Sequence, residues 1–246
     1  MVIPTLEGSV PWLSREQVAE VDRVMAAQLG IGLAQVTEIA GRQLAHLLRV
    51  RFLAADPRGR RITVLVGKGS TAAGALVCAR RLAGWGARVR VLTSHADSDL
   101  SAEAFHELTT ARQLRVQVVQ GETAEGGDGE VVVDGLTGTS LRGAPRGTVR
   151  ELIRWANRQP APVVALDLPS GLDADGGPLH DPTIRAEATL TLALPKLGLR
   201  SPGAEVFVGD LYLADVGVPP EALARPPLGL EVGPIFARDE ILRIEV

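Results

Sequence analysis

Residues 62–93 read ITVLVGKGSTAAGALVCARRLAGWGARVRVLT, and this stretch decides the fold. Ile62 to Val66 is a short run of apolar, largely β-branched residues, Ala72 to Trp85 carries a helical pattern, and Val89 to Thr93 is a second strand. A strand that is apolar over nearly its whole length is covered on both faces, as parallel strands joined through helices are. The alternation continues with a helix over Ser101 to Leu114, strands at Val116–Val119 and Val131–Val133, and a helix at about Thr148 to Asn157. Strands at Val163–Leu166, Ala188–Leu194 and Val206–Ala214 complete it.

Upstream, Ser14-Arg15-Glu16-Gln17 is a capping box with Leu13 and Val18 as its hydrophobic staple, so a first helix runs from about 14 to 29. Gly30 and Gly32 stop it, and a second helical pattern reaches about Phe52 before the turn signal Asp56-Pro57. The sequence therefore predicts an α/β fold: a doubly wound, mostly parallel sheet with helices on both faces and two N-terminal helices, as a single domain over residues 1–246. The glycine- and acid-rich connection Gly121 to Glu130 reads as an exposed loop, and a last short element lies near Ile235 to Val246.

Composition narrows the chemistry. Cys78 is the one cysteine, which excludes an intrachain disulfide and a cysteine-based zinc site and suits a reducing cytoplasm. No stretch reaches the roughly 18 uncharged residues that a membrane span needs. A formal charge of −3 with interleaved signs, and 3% aromatic residues, leave neither a basic stripe nor stacking platforms for nucleic acid. The 26 basic residues include two lysines, Lys68 and Lys196, so these positions stand out.

In open parallel sheets ligands bind beyond the carboxyl ends of the strands. Three strand-end loops are therefore the candidate site. Gly67 to Gly74 offers close backbone approach and the hydroxyls of Ser70 and Thr71, which can cap the helix or meet a ligand, although its spacing matches neither a dinucleotide fingerprint nor a P-loop. Asp134 to Gly143 places an acid at a strand end before small and hydroxyl residues, and Asp167-Leu168-Pro169-Ser170-Gly171-Leu172-Asp173 does so again. Ser170 lacks a G-x-S-x-G elbow, which disfavours a serine hydrolase, and the four histidines form no metal-ligand cluster.

Leu13 to Gln17 leading to Asp22, Glu38 to Gly41, Asp134 to Thr139, Asp167 to Leu172, Ala193 to Lys196 and Gly209 to Gly217 together resemble the YjeF N-terminal domain family in order and spacing, over about residues 12–220. The resemblance implies a Rossmann-like NAD(P)H-hydrate epimerase, acting on the R and S forms of hydrated NADH and NADPH (NADHX and NADPHX) at C6. It further implies support from a potassium ion, a separate dehydratase that consumes the S form, and a family habit of forming homodimers. Carried over by position, Asp134 and Ser170 match potassium ligands, and Thr71 falls where a ligating Asn is expected. Gly138, Thr139, Ser140, Leu141, Arg142, Gly143 and Ala144 match a substrate-binding loop, Asp167 matches a substrate contact, and Lys196 matches a lysine common at that strand end.

The departure is in the first loop, where Ser70, Thr71, Ala72, Ala73 and Gly74 stand in the substrate-binding positions that the family fills with Asn-Asn-Gly-Gly-Asp. Asp167 and Asp134 are the candidates to handle the proton at C6. Lys196 is expected to face the nucleotide phosphates or to tune a nearby acid. The altered loop keeps open a second reading, a nucleotide-binding module of the same fold with impaired catalysis.

Overall fold

A computed structural model describes residues 3–121, 129–177 and 179–245. Most of the connection expected between Gly121 and Glu130, and the terminal Val246, lie outside them. The helices are α1 (Arg15–Gln28), α2 (Leu33–Arg51), α3 (Ser70–Gly84), α4 (Ala102–Gln113), α5 (Gly147–Asn157), α6 (Glu205–Val208) and α7 (Pro220–Ala224). The strands are β1 (Arg61–Val66), β2 (Arg88–Thr93), β3 (Gln117–Gln120), β4 (Val131–Gly135), β5 (Val163–Leu166), β6 (Ala188–Leu192), β7 (Asp210–Ala214) and β8 (Ile241–Ile244). They form one eight-stranded sheet in the order β3-β2-β1-β4-β5-β6-β7-β8. All neighbours pair in parallel except β7 and β8.

Side chains alternate along each strand, so an apolar strand feeds two cores at once. Val64 and Val66 of β1 and Val131 and Val133 of β4 join the core under α2, α3 and α4, whereas Leu65 and Val132 join the opposite core with α5. The α2–α3 contact is backbone-close: a Cβ on Gly41 would lie 2.4 Å from the Gly74 carbonyl oxygen. That closeness requires the glycine at 41. Among the described residues no helix is long and apolar enough to cross a membrane.

Two boundaries differ from the sequence reading. The expected strand Val206–Ala214 begins as the short helix α6 and becomes β7 only after Gly209, which takes φ +61° against the Glu187 carbonyl. A short apolar run does not by itself distinguish a helical turn from a strand. The helix expected from Ala72 starts two residues earlier, at Ser70, with Gly69 as its N-cap. Neither hydroxyl is spent on capping.

Candidate active site

Strand order reverses between β1 and β4, since β2 and β3 lie to one side of β1 and β5 to β8 to the other. The crevice at the carboxyl ends of these strands is where ligands sit in such sheets. The first loop leans on the second here: the Gly67 N–H donates to the Gly135 carbonyl at 3.0 Å. A Cβ on Gly67 would fall 1.8 Å from the Leu136 carbonyl oxygen. Gly67 is therefore explained by loop packing. Ser70 and Thr71 line the cleft, and Thr71 Oγ1 lies where a Cβ on Gly138 would meet it at 2.2 Å. Ala72 and Ala73 turn instead into the core under α3, and Gly74 returns to the cleft wall.

The second and third loops are locked by one buried pair. Ser170 Oγ donates to Asp134 Oδ1 at 2.6 Å, and the Ser170 N–H donates to Oδ2 at 2.7 Å. The Thr137 N–H in turn donates to Ser170 Oγ at 2.8 Å. Asp134 is fully buried and has no cationic side-chain partner among the described residues. Burial pushes its carboxyl up to about 6, against the opposing pull of the bonds from Ser170 and Leu136. Asp134 does not reach the cleft lining, which separates it from proton transfer to a ligand. Its surroundings do suit a cation in donor type, because Asp134, Ser170 and Thr71 offer only oxygen and the buried negative charge lacks a counter-charge.

A pH dependence of stability follows. Between its ordinary 3.8 and about 6 the native Asp134 holds a proton that the unfolded chain has lost, so its contribution falls as pH rises through that window. The loss is on the order of 3 kcal/mol by neutral pH, at about 1.4 kcal/mol per pKa unit. Asp134→Asn is expected to remove this component. Denaturant unfolding of both proteins at about pH 4 and about pH 7, without metal cations, checks it: equal pH slopes would contradict it.

Asp167 closes β5 at φ +70°, a left-handed conformation uncommon for a residue other than glycine. Its N–H donates to the Leu190 carbonyl at 2.8 Å. Lys196 follows β6 after a turn at Ala193 (φ +60°), is 2% exposed, and forms an ion pair with Asp167 Oδ1. The remaining ammonium hydrogens go to Leu192 O at 2.9 Å and Thr191 Oγ1 at 3.3 Å. With its donors so engaged, Lys196 touches the acid and leaves phosphates to other groups. The Leu192 N–H also reaches Oδ1, at 3.2 Å. Asp167 Oδ2 makes no hydrogen bond among the described residues, and Asp167 lines the cleft.

Helix α1 forms the facing wall. Ser14 caps it and completes the capping box with Gln17, and Leu13 bridges to Lys196. Arg15 pins the helix to both rim loops, with Nε donating to Thr139 O at 2.6 Å and Nη2 to Asp173 Oδ2 at 2.9 Å. Burial alone would raise Asp173, but the Asp175 N–H and Arg15 outweigh it and hold the carboxyl below its ordinary value. Two turns further on, Asp22 enters the cleft lining beside Val18, Val21 and Met25. Its carboxyl reaches solvent through the cleft mouth, yet lost hydration among these walls raises its pKa. Lys196 lowers it and Asp167 raises it by smaller amounts. Neither Arg15 nor Asp22 was among the site residues expected from the strand-end loops.

Of the loop Gly138 to Ala144, Thr139 lines the cleft, whereas Ser140, Arg142, Gly143 and Ala144 are exposed on the rim and Leu141 is half-buried. Lys68 is exposed beside His95, whose ring is held below its usual value by burial and then by that charge. The enclosed space is about 100 Å³. Sites that swallow a drug-sized ligand typically have roughly 300–1,000 Å³. A cleft of this size has room for a small molecule or for one end of a larger one.

The family model described as "YjeF-related protein N-terminus" matches residues 33–198. An NAD(P)H-hydrate epimerase of Dehalogenimonas lykanthroporepellens is 38% identical over 211 residues, covering 85% of this chain and 83% of the relative. One of Rhodopirellula baltica is 34% identical over 228 residues, covering 91% and 90%. The bifunctional NAD(P)H-hydrate repair enzyme Nnr of Salinibacter ruber is 34% identical, and the match spans 42% of its length. Among solved structures, the crystal structure of the yeast protein YNL200c superposes with a TM-score of 0.77 at 25% identity, covering 95% of this chain and all of that one.

Proposed function

The chain belongs to the YjeF-related N-terminal family, and on that premise we propose that it is an NAD(P)H-hydrate epimerase, an isomerase that interconverts the R and S forms of hydrated NADH and NADPH at C6. The observation that carries this reading is Asp167, in the left-handed conformation at the carboxyl end of β5, lining the cleft with Oδ1 bound by Lys196 and Oδ2 without a partner among the described residues. Inverting C6, which bears a hydroxyl and the ring nitrogen, needs a positioned group that exchanges a proton with the oxygen there. Lys196 is a positioning residue that fixes which oxygen of Asp167 does so.

The cleft admits the nicotinamide end, and the diphosphate lies over the rim. There the free N–H groups at the start of α3, Ser70, Thr71 and the exposed loop Gly138 to Ala144 receive it. A potassium ion would be held by Asp134, Ser170 and Thr71, where it would supply positive charge beneath the nucleotide. The S form would pass to a dehydratase, which removes the water at C6.

A second reading, binding without turnover, draws on position 74. Glycine stands where the family pattern has an acid, and even a Cβ there would meet Leu166 Cδ2 at 2.9 Å. The assay that decides is consumption of an R/S mixture of hydrated NADH by an S-specific dehydratase. The chain is expected to make the R portion disappear faster than it epimerises spontaneously. No acceleration, with the nucleotide still bound in calorimetry, selects the binding module.

A further inference from the structure

We propose that Asp22 is a second acid–base residue of the epimerisation, acting at C6 from the α1 wall of the cleft while Asp167 acts from the sheet edge. The proposal rests on the epimerase reading above and assigns a role to a residue outside the three strand-end loops. Asp22 flanks the buried stripe of α1, between Val18 and Met25 in sequence, and lines the same cleft as Asp167 and Lys196. Unlike its neighbour Glu20, which is paired with Arg23 at 2.6 Å, Asp22 makes no hydrogen bond or ion pair among the described residues. The helix that carries it is tied to the cleft at its N-terminus, by the Leu13 bridge to Lys196 and the Arg15 bonds to both rim loops. A carboxyl placed so firmly in a cleft, without a structural partner, is available to a ligand.

Its surroundings also set it apart from Asp167. Val18, Val21 and Met25 line the cleft beside it, and the hydration its carboxyl loses there raises its pKa although the residue is exposed at the cleft mouth. Lys196 and Asp167 are the charged groups that bear on it, in opposite senses. Asp167, by contrast, is half of an ion pair. A carboxyl with no side-chain partner among the described residues and a carboxyl held by an ammonium, both lining one cleft, supply two distinct proton-exchanging groups.

Epimerisation at C6 needs such a pair if the C6–O bond is the one that breaks. Asp22 gives its proton to the C6 hydroxyl, which leaves as water with the C–O electron pair. The N1 lone pair becomes the second bond of a planar C6=N1 unit. Water then adds to the other face: its oxygen lone pair forms the new C6–O bond, the C6=N1 pair returns to N1, and Asp167 Oδ2 takes the proton. One water leaves and one enters, and nothing is oxidised or reduced. The reverse direction uses the two acids in exchanged roles.

The test compares wild type, Asp22→Asn and Asp22→Glu in the coupled R-consumption assay, with affinity for hydrated NADPH by calorimetry and, in a separate reaction without the dehydratase, epimerisation in ¹⁸O-labelled water. Asp22→Asn is expected to lower turnover by about 100-fold or more, the scale of general acid–base catalysis, with affinity changed less than about threefold. It should also remove the high-pH limb of the rate profile, whereas Asp22→Glu recovers part of the rate. Inverted wild-type product should carry solvent oxygen. Turnover of Asp22→Asn within about threefold of wild type, or product that keeps its original oxygen, would overturn the proposal. A wild-type chain that fails to accelerate R consumption would instead overturn the epimerase reading, and this one with it.

Discussion

Asp167→Asn is expected to lower epimerase turnover by about 10³-fold, near the middle of the range for losing a general acid–base group, while leaving nucleotide affinity close to wild type. The substitution isolates proton transfer from architecture. Asn tolerates the left-handed backbone better than other non-glycine residues, so φ +70° need not change. Its amide oxygen can take the place of Oδ1 and still accept from Lys196 and the Leu192 N–H. What the amide cannot do is exchange a proton with the C6 oxygen from the position of Oδ2. The measurement is R consumption against the coupled dehydratase, below the melting temperature of both proteins, with calorimetry on the same samples. A loss smaller than about tenfold would move the chemistry to another group, and Asp22 would be the first to examine.

The path from sequence to site was legible in parts, for physical reasons. Alternation of apolar runs with helical patterns predicts the parallel sheet because a strand buried on both faces is mostly apolar: β5 is wholly so, while β1 admits Thr63 and β4 carries the buried Asp134 near its end. The acids at the ends of β4 and β5 were visible as strand-end carboxyls, but their division of labour was not. Asp134 is bound by Ser170, 36 residues away, and becomes a buried lock between loops. Asp167 stays at the cleft. That difference is set by tertiary hydrogen bonds that no local pattern encodes. The first glycine loop was ambiguous because glycine serves close backbone packing and ligand approach alike, and Gly67 turns out to serve packing.

Arg15 and Asp22 were hidden because a helix on a protein surface is expected to be polar on one face. The signal for Asp22 was nonetheless present. It lies four residues after Val18 and three before Met25, so a carboxylate flanks the stripe that the helix buries. None of the residues three or four positions away, Val18, Ala19, Met25 and Ala26, is basic, so the helix itself offers this acid no ion pair. The two-lysine count singled out Lys196, and of its two expected surroundings the structure shows the nearby acid, Asp167.

Lys196→Met is expected to destabilise the fold by about 3–5 kcal/mol, the cost of stripping one partner from a buried ion pair. For a chain of this size that corresponds to a fall of roughly 6–15 °C in melting temperature. Met matches the length of the aliphatic stem, so cavity formation adds little, and the cost falls on Asp167. Its Oδ1 would keep only the Leu192 N–H and the 3.3 Å contact with Thr191 Oγ1 in a site that is 8% exposed. The double variant Asp167→Asn/Lys196→Met replaces both charges and should recover most of the stability, because a neutral pair of similar volume carries no uncompensated charge. Thermal unfolding of the four proteins gives the coupling directly. If the two single changes simply add, the pair is not coupled. If Lys196→Met also leaves turnover and nucleotide affinity unchanged, Lys196 is not what aims the catalytic oxygen. If turnover falls while the nucleotide still binds, Lys196 acts on the chemistry through Asp167, which is what its three engaged ammonium hydrogens and its absence from the rim require.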